Sequence, residues 1–261
     1  MADDLSVSHA DSFDRGAGEV RGAMTCAVLR QALLTPYAAL CRVLHIPVWF
    51  WRGAWYNINH EPASAYHATQ GCDELARLVA ALPGDTTSIL DVGANCGVFA
   101  GMCRKRFPNA TIYCMEPQAE LMPYIKRNCR DAVIWTCAAG AADCCGMLWT
   151  GHVSKQSSSF FSDSVYGGIK TGRKVPVSRI DDLLHGQGVD VIKMDIQGGE
   201  VAALAGAKET LKTCRLLIVE ASFMFPDVVL AVCDLMKDHP YKILGPVSHG
   251  ADVAVFLGAN M

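Results

Sequence analysis

None of the 12 cysteines in this 261-residue chain belongs to a C-x-x-C pair, so the basic unit of a zinc ribbon or a thioredoxin-like redox site is missing. A cationic N-terminal region is missing too: the chain opens Met-Ala-Asp-Asp-Leu, acidic where a signal peptide is basic. The cysteines stand singly in apolar runs, as Cys103, Cys114, Cys137 and Cys214 do, and a chain of this length needs no disulfide framework. They are expected as small reduced core residues of an intracellular, cytoplasmic protein. Charge is scarce: 19% of residues are charged, with 23 Lys plus Arg against 26 Asp plus Glu and a net charge of −3. Without a broad basic field the chain cannot neutralise many phosphates, which argues against nucleic acid as a partner. A hydrophobic fraction of 51% excludes a disordered, solvating chain.

Long hydrophobic runs are also lacking. A spanning helix needs roughly 18 consecutive apolar residues. The nearest approach, Ala23 to Trp51, is interrupted by Arg30, Gln31, Arg42, His45, Pro36 and Pro47. Membrane contact through residues 23–55 then reduces to an interfacial helix around Val48-Trp49-Phe50-Trp51, with Arg52 and Trp55 at its edge. The alternative is a cap helix or lid that packs these aromatics on the domain or over a cleft, the commoner fate of large aromatic side chains.

What is present divides the chain in three. Residues 1–20 are polar and acidic and are expected as a flexible tail. Residues 21–70 form an N-terminal helical and aromatic extension or lid, with helical pattern from Gly22 to Cys41 and a loop from Arg52 to Gln70. Residues 71–261 alternate helices with short β-rich runs. The pattern predicts strands at Ser88–Val92, Thr111–Met115, Ala132–Thr136, Val189–Met194 and Leu216–Val219. Between them it predicts helices at Asp73–Leu82, Cys96–Arg106, Gln118–Cys129, Glu200–Lys212 and Asp227–Asp238. Glycines 140, 146 and 151 suggest a hairpin before the serine cluster Ser157–Ser159. This is an α/β pattern with a mostly parallel sheet and helices on both faces. Two final strands, Tyr241–Leu244 and Val253–Leu257, have no helix between them and are expected to pair antiparallel.

The strongest local signal is Ile89-Leu-Asp-Val-Gly-Ala-Asn-Cys-Gly97, a buried strand turning through glycines into a helix. Such a turn lets backbone approach a ligand and presents free N–H donors at the helix start. About one strand later comes Glu116-Pro117, an acid placed to accept ribose hydroxyls at the carboxyl edge of the sheet. The dinucleotide fingerprint wants a glycine where Asn95 stands, and no Gly-Lys-Ser/Thr follows. A nucleoside without phosphates fits better, and S-adenosylmethionine is one. The candidate cofactor residues are Asp91, Gly93, Asn95, Gly97, Glu116 and Pro117.

A second segment runs Val175-Pro-Val-Ser-Arg-Ile-Asp-Asp-Leu-Leu184, then Asp190-Val-Ile-Lys-Met-Asp-Ile-Gln-Gly-Gly-Glu200 and Val-Ala-Ala-Leu-Ala-Gly-Ala207. With Asp-Val-Gly-Ala-Asn-Cys-Gly and Met-Glu-Pro, the stretch from Ser88 to Glu220 closely resembles the FkbM family of S-adenosylmethionine-dependent methyltransferases. The resemblance includes Cys137-Ala-Ala-Gly140 and the serine cluster. It implies a class I Rossmann-like methyltransferase fold with a terminal antiparallel strand, S-adenosylmethionine as cofactor, and O-methylation of a sugar, glycan or natural-product hydroxyl. Gln197 stands where many members carry Glu. Residues before about Gly71 lie outside the resemblance.

An alcohol is a poor nucleophile while protonated, so a base within hydrogen-bond reach is expected. Asp195, at the end of the fourth strand, is the first candidate. Lys193 lies on the same sheet face by alternation, and either holds Asp195 ionised or pairs with Glu200. A helix cap and a first-turn acid are the structural alternatives for Asp195 and Glu200. His152 is a second candidate base, since histidine titrates near neutrality. Glu220 ends the fifth strand at the crevice edge. No spacing demands a metal. Two other functions compete: a nucleotide-dependent Rossmann oxidoreductase, opposed by the glycine pattern and by Tyr124, which has no lysine four residues on; and a non-enzymatic cofactor-binding or membrane-peripheral scaffold using Trp49, Trp51 and Trp55.

Overall fold

The structure is a computed structural model that describes residues 48–51, 54–57, 75–151, 158–160, 170–222, 241–249 and 253–260, with scattered positions between 227 and 234. The expected tail, the Gly22–Cys41 helix and the expected loop beyond Asn57 lie outside this set.

Twelve described strands form three sheets. β1 (Val48–Trp51) and β2 (Ala54–Asn57) pair antiparallel, from Val48↔Asn57 to Trp51↔Ala54. This corrects the sequence expectation, which placed a helix at Val48–Trp51 and a loop beyond Arg52. The residues themselves explain it: Val-Trp-Phe-Trp and Ala-Trp-Tyr are β-branched and aromatic, and a Gly53 follows Arg52 between the two runs. β2 lies against two helices of the main domain, Val98–Arg106 and Met122–Asn128.

The main sheet holds β3 (Ser88–Val92), β4 (Thr111–Met115), β5 (Val133–Trp135), β9 (Val191–Met194), β10 (Leu216–Ser222), β11 (Tyr241–His249) and β12 (Val253–Asn260). Its order is β11-β12-β10-β9-β3-β4-β5. The five strands from β10 to β5 are parallel, while β12 runs antiparallel to both β10 and β11. The expected antiparallel ending is therefore present. Strand order reverses between β3 and β9, and in open parallel sheets the crevice at such a reversal is where ligands bind.

Alternation sorts the strand residues onto two cores. Leu90, Val92, Ile192, Met194, Leu217 and Val219 pack with Ile180, Leu184, Ala203 and Leu211 on one face. Ile89, Ile112, Cys114, Val191 and Ile218 pack with Phe99, Ala100, Cys103 and Ile125 on the other. Each such buried aliphatic side chain contributes about 1.5–3 kcal/mol. Cys96, Cys103, Cys114, Cys129, Cys137 and Cys214 are buried free thiols, as expected, whereas Cys144 and Cys145 are exposed.

Helices cover both faces: α1 (75–81), α2 (Val98–Arg106), α3 (Met122–Asn128), α4 (Ile180–Leu184), α5 (Glu200–Ala205) and α6 (Lys208–Thr213). A 3-10 turn at Ala119–Leu121 leads into α3, whose Pro123 sits in the first turn, where a missing N–H costs nothing. The sequence suggested one helix from Glu200 to Lys212; the structure breaks it in two. A Cβ at Gly206 would overlap the Gly140 carbonyl oxygen, and the Asp181 side chain takes the N–H groups of Glu209 and Thr210 at 3.2 and 2.9 Å. Both partners are distant in sequence. The third sheet, β6 (Ala138–Ala139), β8 (Lys170–Ser178) and β7 (Cys144–Gly151), interrupts the passage from β5 to β9. β7 is the glycine-rich strand expected in a hairpin; its partner β8 was not foreseen, because Arg173, Lys174 and Pro176 mask the inward alternation of Val175 and Val177.

Candidate functional site

The crevice forms where β3, β4, β9 and β10 end. After β3 the chain turns through Gly93 (φ 80°), Asn95 (φ 50°) and Gly97 (φ 73°), all left-handed. Asn is among the few non-glycine residues that adopt this region readily. The glycines are needed for two close approaches. A Cβ at Gly93 would overlap the Asp195 carbonyl oxygen and lie 2.8 Å from Ile196 Cγ2; one at Gly97 would lie 2.9 Å from Ile125 Cα. The first contact joins the turns after β3 and β9, and the second seats the start of α2 on α3.

The same loop is fastened to the end of β4. Gly93 and Ala94 donate their N–H groups to the Met115 carbonyl at 2.9 and 3.0 Å. Asn95 N–H donates to Glu116 Oε2, and Gln118 N–H to Glu116 Oε1, each at 2.9 Å. Glu116 is 4% exposed. Burial pushes its carboxyl up to about 7, against the pull of the backbone N–H groups of Gln118 and Asn95. Pro117 follows it, half-buried, and Gln118 is buried beside it with its Oε1 lacking a hydrogen-bond partner among the described residues. An unpaired buried acceptor next to a buried carboxylate is the complement of a donor-rich group, and the two hydroxyls of a ribose are such a group. The residues present therefore fit S-adenosylmethionine.

A second cluster occupies the end of β9. Lys193 is 7% exposed by its side chain and lies 3.6 Å from Asp91 and 3.4 Å from Asp195, above the Phe99 ring at 5.8 Å. Alternation along β9 does put Lys193 and Asp195 on one face. Burial disfavours the lysine's charge, yet the carboxylates of Asp195, Asp91 and Glu220 together hold it above its ordinary range. Asp91 is almost fully buried, and that burial pushes its carboxyl up while Lys193 pulls it down. Its place is beneath the crevice, as the lysine's counter-ion. Burial would also raise Asp195, but Lys193, together with a hydrogen bond shared with Glu220 and one from the Gln197 amide, holds it below its usual value. Gln197 Nε2 donates to Asp195 Oδ1 at 2.8 Å. Asp195 keeps 28% of its side chain exposed, at the rim of the crevice.

The cap alternative resolves differently for the two acids. The residue preceding α5 is Gly199, so Asp195 is not its cap. Glu200 is structural: Ile196 N–H donates to its Oε1 at 2.9 Å and Gly198 N–H to its Oε2 at 2.8 Å. It is 1% exposed, and burial pushes it up to about 7. Among the described residues Lys193 pairs with Asp91 and Asp195, not with Glu200. His152 lies outside the described residues. Sequence reasoning missed Gln118 and the tie from Ser159 Oγ to the Gln197 carbonyl at 2.7 Å; the serine cluster was the one available signal for the latter. Among the described residues no group of three or more His, Cys, Asp or Glu is arranged to hold a metal ion. The Tyr-x-x-x-Lys spacing of oxidoreductases, unmet at Tyr124, does occur at Tyr166 and Lys170, of which Tyr166 lies outside the described residues. What opposes a dinucleotide is then the glycine pattern: Asn95 and Val98 stand where the second and third glycines belong.

Residues 91–243, more than half of the chain, match the family described as Methyltransferase FkbM domain. No curated protein sequence matches the chain significantly. Similar solved structures include a precorrin-6y C5,15-methyltransferase from Geobacter metallireducens, at 12% identity and TM-score 0.45, covering 74% of this chain and 88% of that one. A ribosomal protein L11 methylase from Lactobacillus delbrueckii subsp. bulgaricus shares 11% identity at TM-score 0.47, covering 76% and 81%. Fibrillarin from Aeropyrum pernix, in complex with natively bound S-adenosyl-L-methionine, shares 13% at TM-score 0.44, covering 71% and 73%. Identities and scores this low assign no substrate. With its glycine turn, its buried acid after β4, its strand order and the match over 91–243, the chain belongs to the FkbM family of methyltransferases, with the class I Rossmann-like fold and S-adenosylmethionine as methyl donor.

Proposed function

We propose that the chain transfers a methyl group to a hydroxyl of a small-molecule, sugar, glycan or natural-product acceptor. The observation that carries this reading is Asp195: an ionised, partly exposed carboxylate at the carboxyl edge of β9, steadied by Lys193 and Gln197. A carboxylate there suits an acceptor that reaches the site protonated, as an alcohol does. When bound, the cofactor supplies a methyl group on a sulfonium sulfur, poised for in-line displacement. The chain's own work is alignment and desolvation. Positioning of this kind is worth roughly 7–11 kcal/mol in well-aligned reactions. Glu116 and Gln118 would accept the ribose hydroxyls, and the turn through Gly93 and Asn95 would lie beside the rest of the cofactor. Asp195 is the group that would take the acceptor's hydroxyl proton during transfer. Lys193 keeps that carboxylate charged, with Asp91 below it as the lysine's second counter-ion.

Residues 71–261 are the catalytic domain in this reading, and residues 21–70 contribute a cover on the acceptor side. β2 supports that role, since it lies against α2 and α3, the helices flanking the glycine turn. Among the described residues no helix is long and apolar enough to cross a membrane. We place the protein in the cytoplasm with a non-nucleic-acid acceptor, on the thiol-rich composition and the absence of a broad basic field. The test is methyl incorporation over a panel of hydroxylated sugars, glycans and phenols. Transfer to one acceptor class that Asp195→Asn abolishes is the expected result. S-adenosylhomocysteine binding without transfer to any acceptor would favour a scaffold instead, and transfer to amines alone would refute hydroxyl chemistry.

A further inference from the structure

The third sheet meets the crevice at two places that share one level of its strands. From β8, Arg173 reaches Glu120 in the turn after Gln118, with Nη1 2.8 Å from Oε2 and 3.1 Å from Oε1. Opposite Arg173 on β7 stands Leu148, and the next residue, Trp149, bridges to Ser159, whose hydroxyl donates to the Gln197 carbonyl. One contact lands beyond the end of β4 and the other beyond the end of β9. Those two strands are separated by β3, just as Arg173 and Ser159 are separated by β7. At about 4.8 Å per strand spacing, each gap is about 10 Å. The third sheet therefore spans the crevice from the side of Glu116 to the side of Asp195.

Arg173 belongs to the inward face of that sheet. Along β8, Val175 and Val177 are buried while Gly172, Lys174 and Pro176 are exposed, so alternation turns Arg173 inward with the valines. Leu148, opposite it, is buried as well. A guanidinium carries five N–H donors. Glu120 takes those of Nη1, whereas Nε and Nη2 are buried and have no hydrogen-bond partner among the described residues. Nε and Nη2 share one edge of the group, where two parallel N–H bonds suit two neighbouring oxygens. Buried donors are costly to leave unpaired, so an orphaned edge beside a crevice points to a ligand that accepts from it.

The geometry points to Arg173 as a residue that binds the methyl acceptor, through a pair of neighbouring uncharged oxygens, the vicinal diol of a sugar or polyol. This deepens the hydroxyl-transfer reading and rests on it for the group that is methylated. Charge decides between a diol and an oxyanion. Glu120 already neutralises the guanidinium, and the crevice holds Glu116, Asp91 and Asp195 with Lys193 as the cation between the two aspartates. A carboxylate or phosphate enters against those charges, whereas hydroxyl oxygens accept from the Arg173 edge without that repulsion. The proposed ribose contacts, Glu116 and Gln118, are acceptors, which leaves the donor edge of Arg173 to the second substrate.

The experiment follows the Arg173 Nε–H resonance by proton–nitrogen correlation NMR in the full chain saturated with S-adenosylhomocysteine, assigned by its loss in Arg173→Lys. The probes are methyl glucoside, methyl mannoside and methyl galactoside, with tetrahydropyranylmethanol as a sugar-like ring lacking a diol, and acetate and inorganic phosphate as oxyanions. At least one glycoside should shift the resonance saturably, and the diol-free ring and the oxyanions should not. Glu120→Gln, which uncovers the arginine's charge, should let acetate shift it. With the acceptor found by methyl incorporation, Arg173→Met should raise the acceptor KM about tenfold and leave S-adenosylhomocysteine affinity within about twofold; thermal midpoints check that each variant folds. No response to any probe overturns the proposal, as does a response to oxyanions alone in the wild type. A loss of S-adenosylhomocysteine affinity in Arg173→Met, equal to the change in KM, overturns it too, because the edge then serves the cofactor. If the resonance responds to glycosides and no hydroxyl is methylated, the Arg173 site stands and hydroxyl transfer fails; if a hydroxyl is methylated with KM unchanged in Arg173→Met, the reverse holds.

Discussion

S-adenosylhomocysteine should bind about tenfold more weakly at pH 6 than at pH 8, and Glu116 is the reason. Its carboxyl is lifted to about 7 by burial in the free protein. Ribose hydroxyls donate, so the complex selects the ionised form. Affinity then scales as the ionised fraction: with a midpoint near 7, the penalty is a factor of about 11 at pH 6 and about 1.1 at pH 8, a change of about 1.4 kcal/mol. The same linkage releases roughly half a proton on binding at pH 7. Isothermal titration calorimetry in two buffers of different ionisation enthalpy reads both quantities. Glu116→Gln removes the titrating group, and its affinity should not vary with pH. The stability of the free protein carries the opposite sign: a carboxyl raised in the folded state contributes fully below its unfolded value, near 4.5, and loses that contribution as pH rises through about 7. An affinity that is flat from pH 6 to 8, with buffer-independent enthalpy, would refute the ribose role.

Gln118→Leu removes the unpaired buried acceptor and should weaken S-adenosylhomocysteine binding roughly tenfold, while leaving an analogue without ribose hydroxyls unaffected; equal losses for both ligands would show a packing effect. Asp195→Asn should lower turnover by about 10²–10⁴ with little change in cofactor affinity, measured by methyl incorporation and calorimetry. Gly93→Ala would force a left-handed alanine into the Asp195 carbonyl and should cost more than about 2 kcal/mol in chemical denaturation. Gly84→Ala, in open space, should stay within about 0.5 kcal/mol.

The parts of the fold visible in the sequence are those whose causes are local. Ser88–Val92 leading into Gly93 and Gly97, and the alternation that puts Lys193 with Asp195, follow from residues within a few positions of one another. The antiparallel ending was readable because no helix-length segment separates Val253 from the preceding strand. The misreadings share the opposite property. The break at Gly206 is made by Gly140 and Asp181, and β8 is recognisable only once β7 is beside it. At the site, Glu116 was found by its distance from the glycine turn. The burial of Asp91 beneath Lys193 depended on β3 and β9 being neighbours, as did the close fit of Gly93 against Asp195; an interval of about one hundred residues hides that pairing.

That close fit has a consequence for how the enzyme can change. Because the glycine turn and the turn bearing Asp195 meet backbone to backbone at Gly93, the spacing between the proposed cofactor wall and the proposed base is set by main-chain geometry rather than by adjustable side chains. Substitutions on the two turns should therefore behave epistatically, each tolerable only in the other's original context. The third sheet and the β1–β2 ribbon are not among the closest contacts of Gly93, so under the proposed reading substitutions there should vary acceptor preference without disturbing the two turns.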